Sequence, residues 1–106
     1  MATHAVTTDT FKETTEKNDV VLVDFWATWC GPCRAFGPIF EKASEDHPEA
    51  YFAKVDVDQN QDLAAAAGVQ AIPTLLVLKK GKVVARNVGA VGAADLEKII
   101  SDALAA

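Results

Sequence analysis

Val20-Val21-Leu22-Val23-Asp24-Phe25-Trp26-Ala27 is the stretch that most limits what this chain can fold into. Apart from one aspartate its residues are aliphatic or aromatic, without the polar alternation of a strand that shows one face to water. Such a run predicts a central strand covered on both sides, and so a sheet with helices on each face. Only Thr28 and Trp29 separate it from Cys30-Gly31-Pro32-Cys33, which contains both cysteines of the 106-residue chain. That length predicts one domain, residues 1–106, with a single core, and the 50% apolar content supports a folded globule.

The remaining sequence alternates strand and helix signals. His4 to Thr8 reads as a short edge strand, and a helix is expected to begin between Thr8 and Thr10, where Thr10 and Glu13 have capping-box spacing. After the cysteines, Phe36, Ile39, Phe40 and Ala43 share one helical stripe; Pro38 is expected to remove a hydrogen bond and bend that helix, with Gly37 easing the bend. Tyr51 to Val57 reads as a second inner strand, followed by a helix that starts at Asp58 or Asn60 and ends at Gly68. Thr74 to Leu78 and Val83 to Val88, joined through Lys79-Lys80-Gly81-Lys82, predict two antiparallel strands. Ala93 to Leu104 closes the chain as a helix whose Leu96, Ile99, Ile100, Ala103 and Leu104 form one apolar face. The class is α/β, with a central mixed sheet of about five strands flanked by about four helices.

The cysteine spacing carries chemistry. A thiolate at a helix start lies beside unsatisfied backbone N–H groups and the positive dipole end, so its pKa falls and it becomes nucleophilic near neutral pH. Cys30 fits that role. Cys33, three residues on, faces the same side at roughly 5 to 6 Å between Cβ atoms, so the pair can cycle between dithiol and disulfide. Pro32 in the first turn forfeits only an N–H with no helical partner, and Gly31 lets another chain approach the sulfur. The alternative uses are inert core thiols or metal ligation. A closed zinc site takes about four ligands, and His4 and His47 show no ligand spacing, so no metal is expected.

Asp24 is the second chemical signal. A carboxylate inside so apolar a run must be desolvated at a cost of several kcal/mol unless compensated, and burial raises its pKa. Lys54 interrupts the neighbouring apolar strand; it either pairs with Asp24 or is a solvated strand-end lysine. Trp26 reads as packing that shields the site and Trp29, in the loop, as a substrate contact, although packing alone would account for both.

Composition excludes other classes. The net charge is −5 and no Lys/Arg cluster offers the footprint a phosphate backbone requires, so nucleic acid is not expected as a partner. No apolar stretch approaches the roughly 18 residues of a membrane span, and Met1-Ala2-Thr3-His4 lacks a basic segment followed by an apolar one. The expected location is the cytoplasm, where two cysteines are rarely a structural staple; a cleaved transit peptide would leave no trace.

Strand, Trp29-Cys30-Gly31-Pro32-Cys33, a helix with an internal proline, and downstream Ile72-Pro73-Thr74 together resemble the thioredoxin family over nearly the whole chain. Asp24-Phe25-Trp26-Ala27, Lys54, Val57-Asp58, Gly68, Gly81 and Val88-Gly89-Ala90 stand where that family's pattern places them relative to the cysteines. The resemblance implies a thioredoxin fold and protein disulfide reduction through Cys30 and Cys33. It also implies no bound cofactor, recharging by a thioredoxin reductase with NADPH acting only through that enzyme, disulfide-containing protein substrates, and a monomer.

By the same resemblance, Asp24 accepts the proton of Cys33 through water when that residue attacks the mixed disulfide, with Lys54 beside it. Pro73 resembles the family's cis proline, which offers the sulfurs neither an N–H nor a reactive side chain and exposes the Ile72 backbone to pair with substrate as an added strand. Trp29, Gly31, Pro32, Ile72, Pro73, Val88, Gly89 and Ala90 would contact substrate. Family members that act as oxidants or isomerases carry a histidine between the cysteines, so Gly31-Pro32 implies a reductant. Arg34 replaces the commoner lysine, Ala67 stands where an aromatic is common, and Gly92 where a serine cap is frequent. Gly92 is still an acceptable cap, with Asp95 able to complement the helix dipole. These departures bear on partner preference and stability, not on the chemistry.

Overall fold

The computed structural model describes residues 2–106. In chain order its elements are β1 (Thr3–Ala5), α1 (Phe11–Lys17), β2 (Val20–Trp26), α2 (Gly31–Asp46), β3 (Tyr51–Asp56), α3 (Gln61–Ala66), β4 (Thr74–Lys79), β5 (Lys82–Val88) and α4 (Ala93–Ala105). The strands form one sheet in the order β1-β3-β2-β4-β5. β3 runs parallel to β1 and β2, β4 runs antiparallel to β2, and β5 antiparallel to β4, so the sheet is mixed.

β2 is central, as its apolar run, interrupted only by Asp24, requires, and Val20 to Phe25 are all buried. Strand geometry sorts that run onto two faces. Val20 and Leu22 join Phe36, Phe40 and Ala43 of α2 and Leu96 and Ile100 of α4 in one core. Val21, Val23 and Phe25 join Val6, Val55, Leu63 and Leu76 in the other, with Phe11 packed against it. Asp24 therefore points to the α2 side. Its register partners are Lys54 on β3 and Leu75 on β4.

Several local details differ from the sequence reading. β1 ends at Ala5, not Thr8, because the chain turns at Thr7 and the Thr7 carbonyl accepts from the Phe11 N–H at 3.0 Å. The capping box does not form: the Thr10 hydroxyl accepts the Thr7 N–H at 3.0 Å, while Glu13 pairs with Lys17 one turn on. α3 starts directly after Asn60, one of the two expected starts, but the Asn60 side chain does not cap it: it accepts from the Thr8 N–H and donates to the Asp56 carbonyl, both at 3.0 Å, tying two loops together. The β4–β5 turn tightens to Lys80-Gly81, with φ of 52° and 80°, and glycine relieves the strain at the second position. As expected, Pro38 lies inside α2. Among the described residues no helix is long and apolar enough to cross a membrane.

Candidate active site

The central strand delivers the chain directly to the cysteines. Cys30 is the N-cap of α2, with extended backbone at φ −88° and ψ 113°, and its Sγ accepts the Cys33 N–H at 3.2 Å. A side-chain acceptor at this position satisfies one of the orphan donors of the first turn, and the same donor favours the charged thiolate when the pair is reduced. Pro32 sits in that first turn. Upstream, the Cys30 N–H donates to the Ala27 carbonyl at 3.3 Å and the Arg34 guanidinium to the Thr28 carbonyl at 3.0 Å. Cys30 and Cys33 are joined as a disulfide, with a Cα–Cα separation of 5.3 Å, and both residues are buried.

The second wall comes from the start of β4. The Ile72–Pro73 peptide is cis, and the Ile72 carbonyl oxygen lies 3.8 Å from Cys30 Sγ. Two hydrogen bonds hold this bend: the Thr74 hydroxyl donates to the Ala71 carbonyl at 2.5 Å and the Gly89 N–H to the Pro73 carbonyl at 2.8 Å. The second of these brings the end of β5 to the site. Gly89 has φ 98°, which favours glycine there, and Val88 and Ala90 beside it are exposed. Gly31 and Pro32 are exposed on the other side of the sulfurs.

Trp29 is 65% exposed yet fixed, since its indole N–H donates to Asp58 Oδ2 at 2.9 Å. It forms one side of a shallow groove of about 330 Å³ whose floor includes Val57, Ala64, Val69 and Ile72. The sequence reading named Asp58 as a pattern position and a possible helix start, and missed this anchoring bond. Partners so far apart in the chain leave no local spacing to find.

Behind the sulfurs lies a second cleft, about 410 Å³, lined by Trp26, Cys33, Gly37, Glu41 and Lys54. Asp24 is only 1% exposed, and neither carboxylate oxygen has a hydrogen-bond partner. Burial pushes its carboxyl up from an ordinary 3.8 to about 6, against a smaller downward pull from the Lys54 charge. Lys54 is half-buried, and its ammonium lies 5.0 Å from the centre of the Trp26 ring. The lysine thus favours the Asp24 carboxylate through its field and rests on Trp26 as a cation–π partner.

Glu41 is a further member of this cleft that the sequence reading did not single out. Its Oε2 accepts the Thr3 hydroxyl at 2.6 Å, and its Oε1 is buried without a partner. Cys33, Gly37 and Glu41 are spaced four apart on α2, which is the signal that could have found it.

Among the described residues no group of three or more histidine, cysteine or acidic side chains gathers in a way that could hold a metal ion. His4 stacks on Tyr51 at 4.6 Å and His47 bonds Glu97 at 2.8 Å.

The family model described as Thioredoxin matches residues 2–102. Thioredoxin-1 of Saccharomyces cerevisiae is 46% identical over 103 residues, covering 97% of this chain and 100% of that protein. Putative thioredoxin 2 of Streptomyces coelicolor is 42% identical over 102 residues, covering 96% of this chain and 76% of the relative. Among solved structures, a mutant thioredoxin from Halobacterium salinarum superposes with a TM-score of 0.89 at 40% identity, covering 94% of this chain and 88% of that one. Thioredoxin of Malassezia sympodialis gives 0.87 at 38% identity, with coverage of 96% and 93%. The chain belongs to the thioredoxin family, and its Cys30–Cys33 pair makes it a protein-disulfide oxidoreductase working by thiol–disulfide exchange.

Proposed function

We propose that this chain is a reductant: it passes two electrons from the Cys30–Cys33 dithiol to the disulfides of other proteins. The observation that carries this reading is the placement of Cys30 Sγ, which accepts the Cys33 N–H at a helix N-terminus and faces the Ile72 carbonyl across 3.8 Å. In the first step the Cys30 thiolate attacks one sulfur of a substrate disulfide. A Cys30–substrate bond forms, and the second substrate sulfur leaves as a thiolate. Cys33 then loses its proton and attacks Cys30 Sγ, expelling the first substrate sulfur and leaving Cys30 and Cys33 oxidised.

Asp24 takes the Cys33 proton in this scheme, supported by a carboxyl held at about 6, close enough to neutrality to serve as a base. Lys54 favours its charged form. Trp29, Gly31, Pro32, Ile72, Pro73, Val88, Gly89 and Ala90 are the proposed substrate contacts, with the Ile72 backbone pairing to an extended substrate segment. The uncharged Gly31-Pro32 pair between the cysteines supports the reducing direction. A single-domain monomer in the cytoplasm, recharged by a thioredoxin reductase that draws on NADPH, completes the reading.

The test is reduction of insulin disulfides, first with dithiothreitol as electron source and then with a thioredoxin reductase and NADPH. Catalysed reduction in both formats, together with an equilibrium against glutathione that lies on the reducing side, is the expected result. A strongly oxidising equilibrium would reverse the proposed direction, and insulin left intact would remove the function.

A further inference from the structure

Arg86 lies on β5, outside the redox pair and the proposed substrate contacts. Its guanidinium reaches across to the end of α3, where Nη2 donates to the Ala67 carbonyl at 2.6 Å. The backbone there explains why that bond matters. Gly68, at φ 71°, ends α3 by donating to the Ala65 carbonyl, and Val69 donates to Ala64, both at 3.0 Å. This is the paired-bond helix terminus, and it uses the donors that follow the helix without reaching the Ala67 carbonyl. Arg86 supplies that missing donor as a charge-assisted bond. A Cβ on Gly68 would stand 3.8 Å from Nη2, so the guanidinium lies directly on the turn.

The segment that follows Ala67 is the one that carries Ile72. Its far end is already bound to the end of β5, since the Gly89 N–H donates to the Pro73 carbonyl at 2.8 Å. Arg86 and Gly89 are three residues apart on the same stretch of chain, so the segment from Ala67 to Pro73 is fastened at one end to β5 and at the other to the residue that follows it. Between them Gln70 and Ala71 are exposed, and the Thr74 hydroxyl donates to the Ala71 carbonyl at 2.5 Å.

We propose that Arg86 is a positioning residue for protein substrates: by holding the Ala67 carbonyl it fixes the segment that presents the Ile72 backbone beside Cys30. The proposal rests on the reading that extended substrates pair along Ile72. A small disulfide needs only the sulfur, whereas a protein disulfide needs the strand edge as well. Arg86 therefore weights reactivity towards polypeptide substrates, acting through Ala67 without touching the reacting atoms.

The experiment compares second-order oxidation rates of reduced wild-type, Arg86→Gln and Arg86→Lys proteins with insulin and with cystamine, followed by tryptophan fluorescence. The ratio of the insulin to the cystamine rate constant should fall about three- to tenfold in Arg86→Gln, the range of one ordinary net hydrogen bond, since this one is exposed. Arg86→Lys, which keeps a charged donor, should recover part of the ratio. Backbone amide exchange should quicken at Gly68 and Val69, whose N–H groups close the end of α3, in Arg86→Gln while Val21 to Phe25 keep their protection. The loss should persist in about 0.5 M salt, where a long-range attraction between Arg86 and the substrate is screened. An unchanged ratio in Arg86→Gln, or a loss that vanishes in salt, would overturn the proposal and leave the disulfide-reductase reading standing. Wild-type protein inert towards both disulfides would overturn that reading and this proposal together.

Discussion

Asp24 and Lys54 stand opposite one another on neighbouring parallel strands, yet no hydrogen bond joins them. The ammonium rests over the Trp26 ring and the carboxylate stays buried among apolar side chains. The field of the lysine reaches the acid but does not offset its desolvation, and the net shift is upward. A fully paired Asp24 would be locked in its charged form. Left unpaired, it is able to gain and lose a proton near neutrality.

The first consequence concerns stability. The folded protein binds the Asp24 proton more tightly than the unfolded chain, with a carboxyl at about 6 against an ordinary 3.8. Its contribution is fully present below the unfolded value and is lost as pH rises through the folded one, a loss of about 3 kcal/mol at about 1.4 kcal/mol per unit. Urea midpoints measured from about pH 4 to pH 7 should show this fall in wild type and a flatter profile in Asp24→Asn. Parallel profiles for the two proteins would place the titration elsewhere.

The second concerns rate. In Asp24→Asn, resolution of the mixed disulfide at neutral pH should slow by about a hundredfold, the lower end of general-base effects, while its formation changes little. In wild type the same step should slow as pH falls through about 6, where the carboxyl takes up its proton. Rapid-quench mass spectrometry separates the two steps, and equal slowing of both would remove Asp24 as the base.

A third concerns the far end of α2. His47 Nε2 lies 2.8 Å from Glu97 of α4, and Nδ1 lies 3.7 Å from Glu49. Burial, the largest single influence, pulls the imidazole down, but Glu97 and Glu49 together outweigh it and hold the group above its ordinary 6.5. The stability this adds is fully present below 6.5, the unfolded value, and is lost as pH rises through the raised folded value. Glu97→Gln should therefore lower the unfolding midpoint on the acid side of that window and approach wild type on the alkaline side. A deficit that does not change with pH would assign Glu97 a packing role instead.

What the sequence disclosed, and what it did not, follows from the range of each interaction. β2 was legible because burial on both faces leaves an apolar run interrupted only by Asp24, and the helical faces of α2 and α4 because their apolar residues repeat every turn. The cysteines, Asp24 and Pro73 each stood out against their own surroundings. Thr10 and Glu13 misled, since capping-box spacing does not prevent a threonine hydroxyl from turning back to the Thr7 N–H. The bonds from Trp29 to Asp58 and from Arg86 to the Ala67 carbonyl span 29 and 19 positions, and Arg86 binds a backbone atom that carries no side-chain identity. Neither interaction has a period or a neighbour in sequence to announce it.

The division of labour between the two sulfurs is tested most directly by trapping. Reduced Cys33→Ser and Cys30→Ser proteins, each mixed with a disulfide-bonded protein such as insulin, are resolved by non-reducing electrophoresis and intact mass. Cys33→Ser should accumulate a covalent adduct through Cys30 that dithiothreitol releases, and Cys30→Ser should form none. Equal trapping by both variants, or adduct through Cys33 alone, would contradict the assignment of attack to Cys30 and release to Cys33.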